Sequence, residues 1–246
     1  MLQNRRIGEF NMILSRDETF RVVCNFRTQS TENEVVGTGI FMSTKNNEPW
    51  LITAAHVALS TNINTIIAIS DSDNNCITLP LVELNSSLSW KYHSVADLAA
   101  LPIFISGHNI KYLEHRCLPY DHFNLEEKSV SRDCELTSVG FPNGLGVSGK
   151  FCPLTFRSYA SSALLTLNRA DTKTPSDFFC LENPSVGGYS GCPVFDLGYM
   201  IVGSMTTTKE KTICYGIMHG TMSDTTGGKS AVVTPTYYLK DLIPFK

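Results

Sequence analysis

The sequence predicts an all-β protein, arranged as a sandwich or a pair of barrels. Roughly a dozen short runs rich in Val, Ile, Phe and Thr are separated by Gly, Asn, Asp and Pro, the residues that end strands and make turns. Helix signals are scarce: a short piece after His56, Val57–Ser60, and a C-terminal stretch, Thr236–Ile243, where Tyr237, Leu239 and Leu242 are placed to dock. No internal repeat or low-complexity segment interrupts the pattern. A chain of 246 residues is long enough for a full core without covalent staples.

In chain order the predicted strands of the first half are Phe20–Phe26, Val35–Met42, Trp50–Thr53, Ile63–Ile69, Cys76–Leu84 and Asp97–Ile105. The polar interval Ser106–Glu127, with three of the six histidines, reads as the crossing between halves. The second half continues with Glu135–Phe141, Phe151–Ser158, Ala163–Leu167, Phe178–Glu182, Pro193–Phe195, Met200–Met205 and Ile213–Met218. The expected organisation is one domain over 1–246, its halves at about 18–106 and about 118–235.

Composition excludes several classes. Apolar residues make up 42% and charged residues 17%, against about 25% charged in typical domains, which argues against disorder and coiled coil. Lys and Arg number 20 against 23 Asp and Glu, a net charge of −3, so no broad basic face for nucleic acid is expected. No apolar stretch has the length of a membrane helix. At the N-terminus the patch Met12 to Leu14 is short and is followed by Arg16, Asp17 and Glu18, unlike a signal peptide. The expected compartment is therefore cytoplasmic. Eight cysteines show no CxxC pair and no Cys/His cluster, and several lie in apolar runs such as Val22-Val23-Cys24 and Phe178-Phe179-Cys180. They read as reduced core thiols rather than four disulfides. No metal or cofactor is expected.

Three segments carry chemistry. Trp50-Leu51-Ile52-Thr53-Ala54-Ala55-His56-Val57 delivers a histidine at a strand end among small residues that leave its ring approachable. Val95-Ala96-Asp97-Leu98-Ala99-Ala100 places one acid in an apolar run, where it must be solvated or paired. Gly187-Gly188-Tyr189-Ser190-Gly191-Cys192 flanks a serine with glycines, giving a tight turn whose backbone N–H groups can face inward. Ser190 needs a base to become nucleophilic, His56 can supply it, and Asp97 can fix the imidazole. The N–H groups of Gly188 and Ser190 can hold a developing oxyanion.

With these residues in place, the chain resembles the chymotrypsin-fold, trypsin-like serine proteases. Thr53-Ala54-Ala55-His56, Asp97-Leu98-Ala99-Ala100-Leu101 and Gly188-Tyr189-Ser190-Gly191-Cys192-Pro193 match that family's three signatures in order. Val139-Gly140-Phe141-Pro142-Asn143-Gly144 is similar to the opening of the second barrel in bacterial HtrA-type members. The resemblance runs from about Val35 to Met218. It implies two packed six-stranded antiparallel β-barrels with the site in the cleft between them, and a short C-terminal helix.

The departures matter. Val57 stands where secreted members carry a disulfide cysteine, and Tyr189 stands where zymogens carry the aspartate that pairs with a new amino terminus. Arg6-Ile7-Gly8 echoes an activation site but lacks that aspartate. The chain is thus closer to HtrA-like and other bacterial or viral members, with the turn set by packing in the intact chain or by a regulatory protein partner. The resemblance also implies pocket walls from the residues before Ser190 and from Val202-Gly203-Ser204-Met205. Glu182 could reach the pocket floor and favour basic substrates; otherwise Met205 narrows an apolar pocket.

Competing readings are bland. His93 lies four residues before Asp97 but lacks the context of His56. Asp71 and Asp73 sit in a polar turn. His108, His115 and His122 read as exposed loop residues, His219 as structural or pocket-lining, and Cys192 as a buried thiol. Asn85-Ser86-Ser87 fits a glycosylation sequon that has no use inside the cell. The expected function is a serine endopeptidase acting on protein or peptide substrates; the alternative is a catalytically silent module of the same fold that binds a protein.

Overall fold

The computed structural model describes residues 10–29, 34–169, 171–223 and 225–245; the Arg6-Ile7-Gly8 echo lies outside them. The first half holds β1 (Val23–Gln29), β2 (Glu34–Ser43), β3 (Pro49–Thr53), β4 (Ile66–Ser70), β5 (Cys76–Pro80), β6 (Lys91–Tyr92), β7 (Ala99–Pro102) and β8 (Leu118–Pro119). They form a sheet in the order β5-β4-β1-β2-β3-β7-β6, antiparallel throughout, with β8 added in parallel beside β2. The second half holds β9 (Glu135–Gly140), β10 (Leu154–Tyr159), β11 (Leu165–Asn168), β12 (Pro175–Leu181) and β13 (Pro193–Asp196). After β14 (Tyr199–Val202) and β15 (Met205–Thr208) come β16 (Ile213–Ser223) and β17 (Lys229–Pro235). Its sheet runs β10-β9-β13-β16-β17-β12-β11, while β14 and β15 pair only with each other.

The all-β class expected from the strand-like runs is what the chain adopts, with eight and seven strands where six apiece were expected; β6 and β8 are two-residue pairings. Leu118–Pro119, at the expected start of the second half, joins the first sheet instead. Helices are few. α1 (Arg16–Arg21) takes the start of the predicted strand Phe20–Phe26, because Ser15 and Glu18 form a capping box: the Ser15 hydroxyl accepts the Glu18 N–H, and the Glu18 carboxylate accepts the Ser15 N–H at 2.8 Å. α2 (Ala55–Leu59) follows β3 directly, and α3 (Ile110–Leu113) lies in the crossing. The C-terminal helix is the tighter 3₁₀ form, Thr236–Asp241, entered through Pro235.

The halves share an interior. Ile40 and Ile52 from the first sheet, Val139, Phe141 and Phe195 from the second, and Leu239 from the C-terminal helix lie in one buried apolar cluster. Each half also has a cluster of its own, around Phe26, Leu51 and Leu101 in the first and around Phe179, Tyr189 and Val233 in the second. All eight cysteines are free, six of them buried. Cys192 is wholly enclosed, and burial pushes its thiol well above the ordinary range, which leaves it protonated and inert.

Candidate active site

The register of β3 against β7 builds the first part of the site. Thr53 pairs with Ala99, so the chain entering β7 carries Asp97 alongside the residues leaving β3. Two residues past Ala54, the N-cap of α2, His56 turns its ring onto that acid, with Nδ1 2.7 Å from Asp97 Oδ2. The backbone N–H of His56 donates to the other oxygen, Oδ1, at 3.0 Å. With Nδ1 engaged, Nε2 is the free nitrogen of the ring.

Asp97 is fully buried and takes two further donors. His219 Nδ1 lies 2.5 Å from Oδ2, so two imidazoles converge on one carboxylate oxygen. Arg169 Nη2 approaches Oδ1 at 3.5 Å. Burial pushes the Asp97 carboxyl up, but the hydrogen bonds and charges of His219 and His56 outweigh it and hold the group well below the usual carboxylate range. His56, Asp97 and His219 also form the one group of three metal-ligating side chains found among the described residues; the two N···O contacts, 2.7 and 2.5 Å, are hydrogen bonds to a carboxylate, the second a short one, and account for the arrangement without a further group.

His219 reaches Asp97 because β16 is bulged there. Met218 pairs with Val233 and Gly220 with Val232, which leaves His219 as an extra residue with no partner on β17. Such a bulge bends the strand and re-aims a side chain. Sequence reading ended this strand at Met218 and did not detect β17, so it read His219 as structural or pocket-lining and did not connect it to Asp97.

The serine sits on the predicted turn. Gly188 and Gly191 have φ of 88° and 86°, the left-handed region that favours glycine. A Cβ at Gly188 would lie 2.4 Å from the Phe141 carbonyl oxygen, and one at Gly191 2.0 Å from that of Thr38. The Gly187 carbonyl accepts the Asn143 N–H at 2.6 Å, and the Tyr189 carbonyl accepts the Cys192 N–H at 2.8 Å. In a trans peptide the N–H points opposite the carbonyl, so the first bond turns the Gly188 N–H away from Asn143 and the second turns the Ser190 N–H away from Cys192. Neither N–H has a protein acceptor among the described residues. Thr38 ties the turn to the first half: its N–H donates to the Ser190 carbonyl at 2.9 Å and its hydroxyl to the Gly188 carbonyl at 2.9 Å.

Tyr189 replaces an ion pair with packing. Its ring is 1% exposed and stacks on Phe156 at 4.9 Å, and its hydroxyl donates to the Leu154 carbonyl at 2.9 Å. The Ser190 hydroxyl donates to the His219 carbonyl at 3.2 Å and makes no hydrogen bond to the His56 ring.

The predicted pocket residues are not brought together with His56, Asp97 and Ser190. Gly203, Ser204 and Met205 lie at the turn of the β14–β15 ribbon, where Met205 is 71% exposed. The strand beside the nucleophile is β16, held there by Gly191 N–H to the Met218 carbonyl and Met218 N–H to the Cys192 carbonyl, both 2.8 Å. The ribbon is inserted between β13 and β16 and displaces that strand along the sequence. Glu182 is exposed past the end of β12, its N–H bonded to the Tyr159 carbonyl. A small cavity of about 10 Å³ instead lies against Phe156, Leu181, Ser185, Tyr189, Met218 and Ala231. A larger cleft of about 390 Å³, around Arg21, Ser70, Lys111 and Arg116, shares no residue with this group.

The other histidines divide. His93 is buried, its Nδ1 accepting the N–H groups of Val95 and Ala96 and its Nε2 meeting Asp241. His108 and His115 are exposed as expected, but His122 is buried, with Nδ1 2.8 Å from the Thr212 carbonyl, because the 3₁₀ turn carrying it packs under the second sheet.

Comparison with known proteins agrees with this architecture. The trypsin-like peptidase domain family matches residues 37–203. No curated protein gives a significant sequence match. The fold is similar to that of the MamO protease domain from Magnetospirillum magneticum (14% identity, TM-score 0.58, 92% of this chain and 98% of that one). It is also similar to the active form of the Rv3671c protease from M. tuberculosis (15% identity, TM-score 0.57, 95% and 89%). A serine endoprotease from Yersinia pestis is similar over 95% of this chain and 66% of its own (17% identity, TM-score 0.51).

Proposed function

The chain belongs to the trypsin-like peptidase family, and we propose that it is a serine endopeptidase with His56, Asp97 and Ser190 as its triad. The observation that carries this reading is the turn itself. It presents the Ser190 hydroxyl together with the two N–H groups of Gly188 and Ser190 that lack protein acceptors among the described residues, and that hydroxyl is bonded to the backbone of His219, whose ring meets the same Asp97 oxygen as the His56 ring. When substrate binds, the hydroxyl leaves the His219 carbonyl and turns to His56 Nε2. Ser190 Oγ then attacks the scissile carbonyl carbon, and its proton passes to His56. The N–H groups of Gly188 and Ser190 hold the oxyanion. His56 returns the proton to the leaving amine, and water repeats the sequence on the acyl-enzyme.

The lining of the small cavity beside Tyr189 carries no carboxylate, which supports a small apolar side chain ahead of the scissile bond rather than a basic one. With eight free cysteines, a reducing, cytoplasmic setting fits the chain. Among the described residues no helix is long and apolar enough to cross a membrane.

Fluorophosphonate labelling of the chain, with Met1 confirmed intact by mass spectrometry, tests the proposal. The wild type labels at Ser190, Ser190→Ala does not, and a peptide library is cut after small apolar residues. The Ser190–His219 bond at 3.2 Å is also what a silent protein-binding module would keep; an intact, folded chain that never labels establishes that reading instead.

A further inference from the structure

We propose that His219 and Arg169 are positioning residues which, with His56, divide the charge of Asp97, so that the general base works against a carboxylate shared among three side chains. The inference rests on the triad reading above and concerns how that triad is held.

Asp97 is buried without solvent. Its four donors come from three different parts of the chain: the His56 ring and backbone from α2, the His219 ring from the bulge in β16, and Arg169 from the connection between β11 and β12. His56 and His219 meet Oδ2 from two directions, with their rings at 87° and centroids 5.8 Å apart. Hydrogen bonds that converge on one acceptor oxygen draw on the same lone-pair density, so each weakens the hold of the other. Arg169 is itself 5% exposed and fixed by Asp171 at 3.0 and 2.6 Å and by the Val95 carbonyl at 3.2 Å. Its charge is thus answered by Asp171 first and Asp97 second. The remaining neighbour is the Phe178 ring against His219 at 5.3 Å, which is apolar. The titratable and charged groups facing Asp97 are therefore His56, His219 and Arg169, with Asp171 behind the arginine.

The consequence concerns proton affinity. A carboxylate given wholly to His56 favours the imidazolium strongly; one shared with a second imidazole and a guanidinium favours it less. Removing either sharing group should make His56 harder to deprotonate and let Asp97 swing.

The test combines a spectroscopic and a kinetic reading. In histidine-labelled protein, two ring N–H protons should resonate far downfield; His219→Phe loses one, and the other moves further downfield. In the same variant kcat falls about ten- to a hundredfold, KM changes little, and the acid limb of the pH–rate profile moves to higher pH. His219→Asn, which keeps an N–H donor, restores most of both. Arg169→Met moves the limb in the same direction, and Arg169→Lys moves it less. A His219→Phe protein that folds yet keeps the wild-type limb and resonances overturns the inference. If Ser190 never labels, the peptidase reading falls with the kinetic arm, and the resonances alone decide whether Asp97 holds two rings: a single downfield ring proton then overturns the sharing.

Discussion

The hydroxyl of Tyr189 donates to the carbonyl of Leu154 across the base of the nucleophile turn, at 2.9 Å. A buried phenol and a β10 carbonyl thus anchor the turn that carries Ser190. Tyr189→Phe keeps the stack on Phe156 and loses one hydrogen bond. It should cost about 1 kcal/mol in urea unfolding and slow probe labelling of Ser190 severalfold. Tyr189→Asp puts an unpaired charge in the same apolar site and should cost several-fold more stability and all labelling. Equal behaviour of the two variants contradicts the anchoring role.

Gly188→Ala meets both a left-handed backbone and the Phe141 carbonyl oxygen 2.4 Å from the new Cβ. The turn must shift, and the Gly188 N–H shifts with it. A loss of about 10²–10³ in kcat is expected, the cost of one oxyanion donor, with a lowered melting temperature. Gly107→Ala, where nothing lies within 4 Å of the new atom and the backbone is not left-handed, should leave kcat and KM unchanged.

Specificity should follow β16 rather than the ribbon. Thr221 Oγ1, on β16, donates at 2.9 Å to the carbonyl of Ser185, which lines the small cavity. Thr221→Val should change the library cleavage pattern, and Met205→Ala should not. A shift in residue preference with Met205→Ala alone restores the pocket wall expected from sequence.

The depressed carboxyl of Asp97 sets a pH dependence of stability. A group whose folded pKa lies below its unfolded value adds stability above the unfolded value, and the addition is lost as pH falls through the folded one. Relative to Asp97→Asn, the wild type should therefore be more stable at neutral pH, and the difference should shrink below about pH 4, the unfolded carboxyl's range. Activity at pH 7 should fall about 10⁴-fold in the variant. Paired denaturation curves between pH 7 and pH 3 check the sign.

What the sequence discloses about this site is local. His56 among alanines, Asp97 in an apolar run and Ser190 between glycines are visible because each depends on its neighbours in the chain. The links of Arg169 and His219 to Asp97 are invisible for the opposite reason. One arrives from a connection 72 residues beyond Asp97 and the other through a register slip between β16 and β17, and neither leaves a mark on adjacent residues. The misplaced pocket wall has the same origin, since an inserted ribbon changes where along the chain a neighbouring strand falls. The α1 helix was readable from Ser15 and Glu18, whose three-residue spacing signals a cap.

The bond from the Thr38 N–H to the Ser190 carbonyl makes the nucleophile part of the seam between the halves. Thr38 belongs to β2 of the first sheet, and its hydroxyl also grips Gly188. Spreading the halves thus pulls on the turn that carries Ser190. If Ser190 acts as proposed, a ligand that wedges the halves apart should inhibit without touching the serine.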